Sequence, residues 1–164
     1  MFHKYIRSPQ SIVQLNASKM EVQTTKNKEI IKDFLNAIWI NRDLDRALSF
    51  VANDVRYHGV RNEFQGKENY GKMINGYLSV FDEVTIDIED MVAEKNKVYF
   101  RATFSGIHNG EFEGILPTHK KVKFALFNEM EFEEGKIKAD WDMMDELGLM
   151  QQLGMELVDR EHAH

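Results

Sequence analysis

The sequence predicts an α+β fold, with helices first and a long, mostly antiparallel meander after them. Two observations carry this. Apolar residues recur at helical spacing as far as Phe81 and then alternate with a period of two. Near the end, Glu133-Glu134-Gly135 supplies a hairpin turn between two strand-like runs. Three helices packed on one curved sheet satisfy both.

Each element has its own signal. Asn27 is placed to cap a helix whose Ile30, Ile31, Phe34, Leu35 and Ile38 fall on one face. Asp43 caps a short second helix with Leu44, Ala47, Leu48 and Val51 turned inward. Val55 to His58 is a short strand. The third helix is the clearest: Tyr70, Met73, Ile74, Tyr77, Leu78 and Phe81 recur at spacings of three and four, weakened but not broken by Gly71 and Gly76. Val84, Ile86 and Ile88 then alternate with polar neighbours, and Glu94 to Lys97 makes a turn. Val98 to His108 and Lys121 to Phe132 are long strands. The hairpin leads into a strand at Lys136 to Met144, followed by a short amphipathic end.

Residues 1–24 read as a flexible N-terminal extension outside the core, in which Ile12, Val13 and Leu15 offer at most a short strand or a clamp on a neighbour. They contain no sustained apolar stretch of the secretory-signal kind. Residues 25–154 form the domain, and 155–164 a loose polar tail.

A length of 164 residues suits one domain with a core large enough to hold an internal pocket. Lys and Arg number 21 against 27 Asp and Glu, a net charge of −6 without a basic patch, which argues against a nucleic-acid partner. The absence of cysteine excludes disulfide frameworks, thiol catalysis and thiolate metal sites. Apolar runs fall far short of the ~18 residues of a membrane span, so a cytoplasmic protein without a membrane partner is expected. His58, His108 and His119 are far apart and lack paired carboxylate spacing, so no metal site is expected. With no phosphate loop, nucleophile elbow or dinucleotide fingerprint, no cofactor is expected either.

The hairpin register decides which side chains share a face. A three-residue loop with Gly135 in the left-handed position pairs Phe132 with Lys136, Asn128 with Asp140 and Leu126 with Asp142. Phe124, Leu126, Asn128, Met130, Asp140 and Asp142 then look one way, while Ile137, Trp141 and Asp145 look the other. A two-residue loop pairs Asn128 with Trp141 and turns Asp142 away from Asn128. Gly135 favours the first register. In that register Phe127, Ile137 and Trp141 form an apolar patch on the outer face, and a homodimer through it is expected. Glu129, Glu131 and Glu133 alternate along the same strand, which marks that part as wet or as facing a basic partner. Tyr57, Phe104 and Trp141 read as core aromatics rather than a stacking platform.

From Gly106 onward the chain carries a Gly106-x-His108-x-Gly110 turn, the hairpin, the Asp140-Trp141-Asp142 strand and a closing Gln152-Leu153-Gly154. This order resembles the SnoaL-like polyketide cyclases, a family of the nuclear transport factor 2-like superfamily with a cone-shaped fold. The resemblance implies acid/base chemistry on a ring-closing carbon skeleton, performed by a buried aspartate without metal or cofactor. Asp142, twelve residues before Gly154, matches the family's catalytic aspartate in type and position. Among Leu126, Met130 and Met144 its carboxylate would be poorly solvated, which raises the pKa and suits a group that acts as base and then acid, as aldol ring closure requires.

Asn128 stands where those cyclases carry a pocket histidine. Asparagine donates a hydrogen bond but does not shuttle protons near neutral pH. His58, where the relatives place a small polar residue, is the candidate compensating base. His108, from the family's turn, is a second catalytic candidate; its alternative role is to satisfy backbone groups in a tight bend. Phe104, Leu126, Asn128, Met130 and Asp140 are the expected substrate-binding residues. Epoxide hydrolases of the same fold use an Arg-x-Asp strand, and here Arg101-Ala102-Thr103 lacks the acid, which speaks against that activity. The expected function is a cofactor-free acid/base enzyme of cyclase, isomerase or lyase type acting on a small enolisable carbonyl compound. The alternatives are a small-molecule binding protein without chemistry, which Asn128 favours, and a dimeric assembly module.

Overall fold

A computed structural model describes residues 9–157. Helix α1 (Pro9–Leu35) runs into a π turn at Asn36–Ile40, and α2 (Leu44–Ser49) follows. Strands β1 (Val51–His58) and β2 (Glu63–Gln65) precede α3 (Lys67–Val80). The meander then comprises β3 (Phe81–Glu94), β4 (Lys97–His108), β5 (Lys121–Glu133) and β6 (Lys136–Met144), closed by α4 (Glu146–Leu153). The six strands lie in the order β2-β1-β6-β5-β4-β3. All pairings are antiparallel except β1 with β6. This is the expected α+β architecture, and register shifts in β3, β1 and β6 bend the sheet. No described helix is long and apolar enough to cross a membrane.

Most local readings hold for physical reasons that can be seen directly. Asp43 caps α2 by accepting from the backbone N–H of Arg46 at 2.9 Å. Helix α3 buries Tyr70, Ile74 and Leu78 on its inner face. The β3–β4 turn pairs Glu94 with Lys97. Asp145 caps α4 through the N–H of Gly148. The loop after β4 is pinned under α3, where the N–H groups of Asn109 and Gly110 both donate to the carbonyl of Val80. A Cβ on Gly110 would stand 2.1 Å from the Ser79 carbonyl oxygen, so only glycine fits there.

Three readings need correction. Asn27 does not cap a helix; it lies buried within α1, its Oδ1 accepting from Gln23 one turn earlier. Val13 and Leu15, proposed for a strand, are exposed residues of that same helix, which continues its pattern beyond the core. Residues 1–8 of the extension and 158–164 of the tail lie outside the described residues.

The third correction concerns the β5–β6 hairpin. The loop has two residues, since Glu133 pairs with Lys136 and Phe132 with Ile137. Glu134 and Gly135 both have positive φ, at 50° and 75°, the geometry of a type I′ turn. One residue later the register shifts, with Lys138 as the extra residue, and Met130 pairs with Asp140 and Asn128 with Asp142. Two errors of parity cancel. The bulge returns Asn128, Met130, Asp140 and Asp142 to one face, while Ile137 turns inward and is fully buried instead of joining the outer patch.

Deleting Lys138 should therefore force either Ile137 out of the core or both aspartates out of the interior. The expected loss is roughly 2–5 kcal/mol, the range for truncating a buried aliphatic side chain, read from urea unfolding. Lys138→Ala keeps the extra residue and removes only its ion pairs with Asp54 and Glu133. It should change stability by no more than about 1 kcal/mol.

Candidate active site

The inner faces of β5 and β6 meet α3 and the end of α1 around a cavity of about 80 Å³. Its walls are mostly aromatic and aliphatic: Phe34, Trp39, Phe100, Phe104, Phe124 and Leu126 among others. Phe104 stacks on Phe124 at 4.6 Å between ring centres and meets the edge of Trp39 at 5.2 Å. Set into this apolar lining are two carboxylates, Asp140 and Asp142, with Asn128 between them and the hydroxyls of Tyr70 and Tyr77 nearby. Strand alternation explains the grouping, since residues two apart on β6 point the same way and Asn128 faces Asp142 across the ladder.

One amide ties the pair together. Asn128 Nδ2 donates to Asp140 Oδ1 at 3.1 Å and to Asp142 Oδ1 at 3.2 Å. Tyr70 donates to the other oxygen of Asp140 at 2.6 Å, and Tyr57 to the other oxygen of Asp142 at 3.0 Å. Asp140 is only 3% exposed. Burial pushes it from the ordinary 3.8 up to about 7, helped by the neighbouring charge of Asp142 and opposed by the Tyr70 and Asn128 hydrogen bonds. Burial raises Asp142 as well, against the hydrogen bonds of Tyr57 and Asn128. Among the described residues neither carboxylate has a Lys or Arg partner. Burial likewise lifts Tyr57 far above the usual phenol range and Tyr77 to about 12, so both hydroxyls stay protonated donors at neutral pH.

Asp142 also borders a second, outer space of about 60 Å³ lined by Tyr57, Tyr77, Arg61, Glu113, Met144 and Glu146. Arg61, from the loop after β1, forks onto Glu146 at the start of α4 and reaches Glu113 at 3.4 Å. Three separate segments are thus tied together across the mouth above Asp142.

The model of the SnoaL-like polyketide cyclase family matches residues 29–153. The chain belongs to that family. AclR from Streptomyces galilaeus, a candidate hydroxylase, is similar at 26% identity over 84% of this chain and 91% of its own, with a TM-score of 0.74. TsrD from Streptomyces laurentii is similar at 26% identity over 79% and 96%, with a TM-score of 0.72. A candidate SnoaL-like polyketide cyclase from Jannaschia sp. CCS1 shares the fold with a TM-score of 0.76 over 94% and 100%, at 17% identity. Among proteins with curated descriptions, none matches the sequence.

Within this SnoaL-like chain the structure gathers Asp142, Asp140, Asn128, Phe104, Leu126 and Met130 around one cavity. It does not bring His58 or His108 to them. His58 follows the inward Tyr57 on β1 and so points outward, stacking on Trp141 at 4.6 Å with Nδ1 3.2 Å from Glu63. His108 is fully buried at the end of β4, where Nδ1 accepts from the N–H of Thr118 at 3.2 Å. Its ring centre lies 6.1 Å from that of the buried Phe81, so it fastens the bend between β4 and β5 to the core. Arg101 and Thr103 also face outward, and both contact Glu89. The residues that sequence reading passed over are tyrosines. Tyr57 looked like core, though one step of strand alternation separates it from the suspected His58. Tyr70 and Tyr77 were placed only as the apolar face of α3, and their spacing of seven sets both on the cavity.

Proton linkage at Asp140 has a measurable consequence. Its folded value, about 7, lies above the ordinary 3.8. The folded chain therefore holds a proton that the unfolded chain releases, and this stabilisation is complete at low pH and fades as pH rises through that window. Relative to Asp140→Asn, wild-type stability should decline by a few kcal/mol across this range in urea unfolding. A flat difference would show that Asp140 ionises normally in the folded state.

Proposed function

We propose that this protein is a cofactor-free acid/base enzyme of cyclase or isomerase type, acting on a small enolisable carbonyl compound held against Asp142. The observation that supports this reading is the position of Asp142. Asp142 borders both an apolar cavity and the outer mouth, with two neutral donors, Tyr57 and Asn128, and no Lys or Arg paired with it among the described residues. Such a group accepts a proton from carbon beside a carbonyl, leaving an enolate, and returns it to the alkoxide formed when that carbon attacks a second carbonyl. No electrons are gained or lost overall. The aromatic walls exclude water that would quench the enolate. At about 80 Å³ the inner cavity is small for a ring system, so a larger substrate would extend into the outer space beside Asp142.

Asp142→Asn conserves shape and removes proton transfer. Turnover of a β-dicarbonyl or polyketide-like substrate should fall by about 10²–10⁴-fold, with ligand affinity and unfolding midpoint nearly unchanged. A variant with wild-type turnover overturns the assignment. Asn128, in place of the family's histidine, favours a second reading, a binding protein without chemistry; wild-type protein that binds such compounds yet leaves them unaltered would establish it.

Self-association through the outer sheet face belongs to the same proposal. Phe127 and Met143 are 52% and 61% exposed there, beside Val92, Tyr99 and Trp141. The charges around them are already neutralised in pairs, Lys97 with Glu129 and Arg101 with Glu89. An apolar patch rimmed by internally satisfied charges suits a second copy of itself. Light scattering at micromolar concentration should give a dimer, and Phe127→Lys a monomer; a monomeric wild type refutes this.

A further inference from the structure

Asp140 is a carboxylate that catalysis at Asp142 does not explain. Both of its oxygens already accept a hydrogen bond inside the protein, one from Tyr70 and one from Asn128, and it is almost wholly buried, so it lies at the edge of the cavity with little of it open to a substrate at Asp142. A buried carboxylate without a cation is costly, and a second one joined to it through one amide nitrogen makes the cost larger. The Asn128 amide offers one hydrogen to each but no charge to either.

Facing groups confirm the shortage of positive charge. Strand β1 contributes the Tyr57 hydroxyl and α3 those of Tyr70 and Tyr77, all neutral donors. Helix α1 and the π turn contribute Phe34, Leu35, Ile38 and Trp39. At the outer mouth, Arg61 faces Asp142 with its charge committed to Glu113 and Glu146. Two like charges so placed cannot both persist near neutrality, and one proton stays with the pair. Depth decides where. Each carboxylate has one tyrosine donor, but Asp142 also borders the outer space at the mouth, whereas Asp140 lies behind it.

We propose that Asp140 is a positioning residue that holds one proton for the pair, leaving Asp142 as the anion beside an uncharged neighbour and ready to act as base. This rests on the acid/base reading of Asp142, but titration tests it without any substrate. During a cycle the substrate proton moves to Asp142 and back while the proton on Asp140 stays in place, so below the upper transition the cavity carries a single negative charge. A neutral Asp140 thereby spares Asp142 a second negative charge across the Asn128 amide.

The experiment is a carboxyl carbon-13 NMR titration of the full chain, labelled at aspartate, as wild type, Asp140→Asn, Asp142→Asn and Tyr70→Phe, with amide dispersion reporting folding. Wild type should show two linked transitions, the upper near neutrality. In Asp142→Asn the Asp140 midpoint should drop by about one unit or more, tenfold in acidity, whereas in Asp140→Asn, which is uncharged like the protonated carboxyl it replaces, the Asp142 midpoint should stay near the lower wild-type transition. Tyr70→Phe keeps both carboxyls and removes a donor to ionised Asp140, so the upper midpoint should rise; this arm decides the matter if the asparagine variants do not fold. Both aspartates ionising independently in the ordinary acid range, or an Asp140 midpoint indifferent to the removal of Asp142, would overturn the proposal. Should the midpoints move as expected while Asp142→Asn keeps full turnover, the shared proton stands and the enzymatic reading falls. Should turnover require Asp142 while the Asp140 midpoint ignores the loss of Asp142, the reverse holds.

Discussion

One extra residue in β6 governs the site. The two-residue turn at Glu134-Gly135 on its own would leave Asp140 and Asp142 on the opposite face from Asn128, because strand side chains alternate and a single step reverses them all. Lys138 takes up that step. Before it, Ile137 fills the core; after it, both aspartates face inward and Trp141 faces outward to meet His58. Lys138 itself is held at the surface by Asp54 and Glu133, from β1 and β5, so the irregularity is fastened on both sides. The cavity, its polar cluster and the outer apolar face all follow from this placement.

The site combines surroundings that disfavour charge with donors that tolerate it. Aromatic walls raise the proton affinity of both carboxylates, and the hydroxyls of Tyr57 and Tyr70 and the amide of Asn128 partly offset that rise without introducing a formal charge. A lysine or arginine would have produced stable carboxylates of ordinary acidity or below. The charged side chains of this region are instead kept at the mouth, where Arg61 is satisfied by two glutamates.

Much of this was legible from the residues. The change of period after Phe81 marks the helix-to-sheet switch because helices and strands bury faces with different repeats. Asp43, the Glu94–Lys97 turn and the inner face of α3 are local signals and appear where local chemistry puts them. Asp142, Asp140 and Asn128 were grouped through a register that differs from the real one, and the grouping survived because the bulge restored parity. Nothing local announces that bulge; it is matched by a register shift in the pairing with β1, far away in sequence. The histidines misled for a related reason. His58 and His108 carry versatile chemistry, but strand alternation and burial send one to the outer face and the other into a bend, whereas Tyr57, Tyr70 and Tyr77 look like ordinary core residues until the chain is folded. The start of α1 was misplaced because its exposed first half lacks the one-sided burial that reveals a helix, and Asn27 imitates a cap in mid-helix.

The parallel pairing of β1 with β6 also sets the order in which the molecule can become functional. Tyr57 reaches Asp142 across 85 positions of chain, and β1 cannot find its neighbour until the whole β3–β6 meander has been synthesised and threaded into place. Loop-closure entropy of that size must be overcome before the contact yields any return. The hairpins of the meander can form early from near neighbours, so the cavity wall carrying both aspartates takes shape first and stands open. The Tyr57 side joins only through this long-range pairing, so the site cannot be complete before the sheet is.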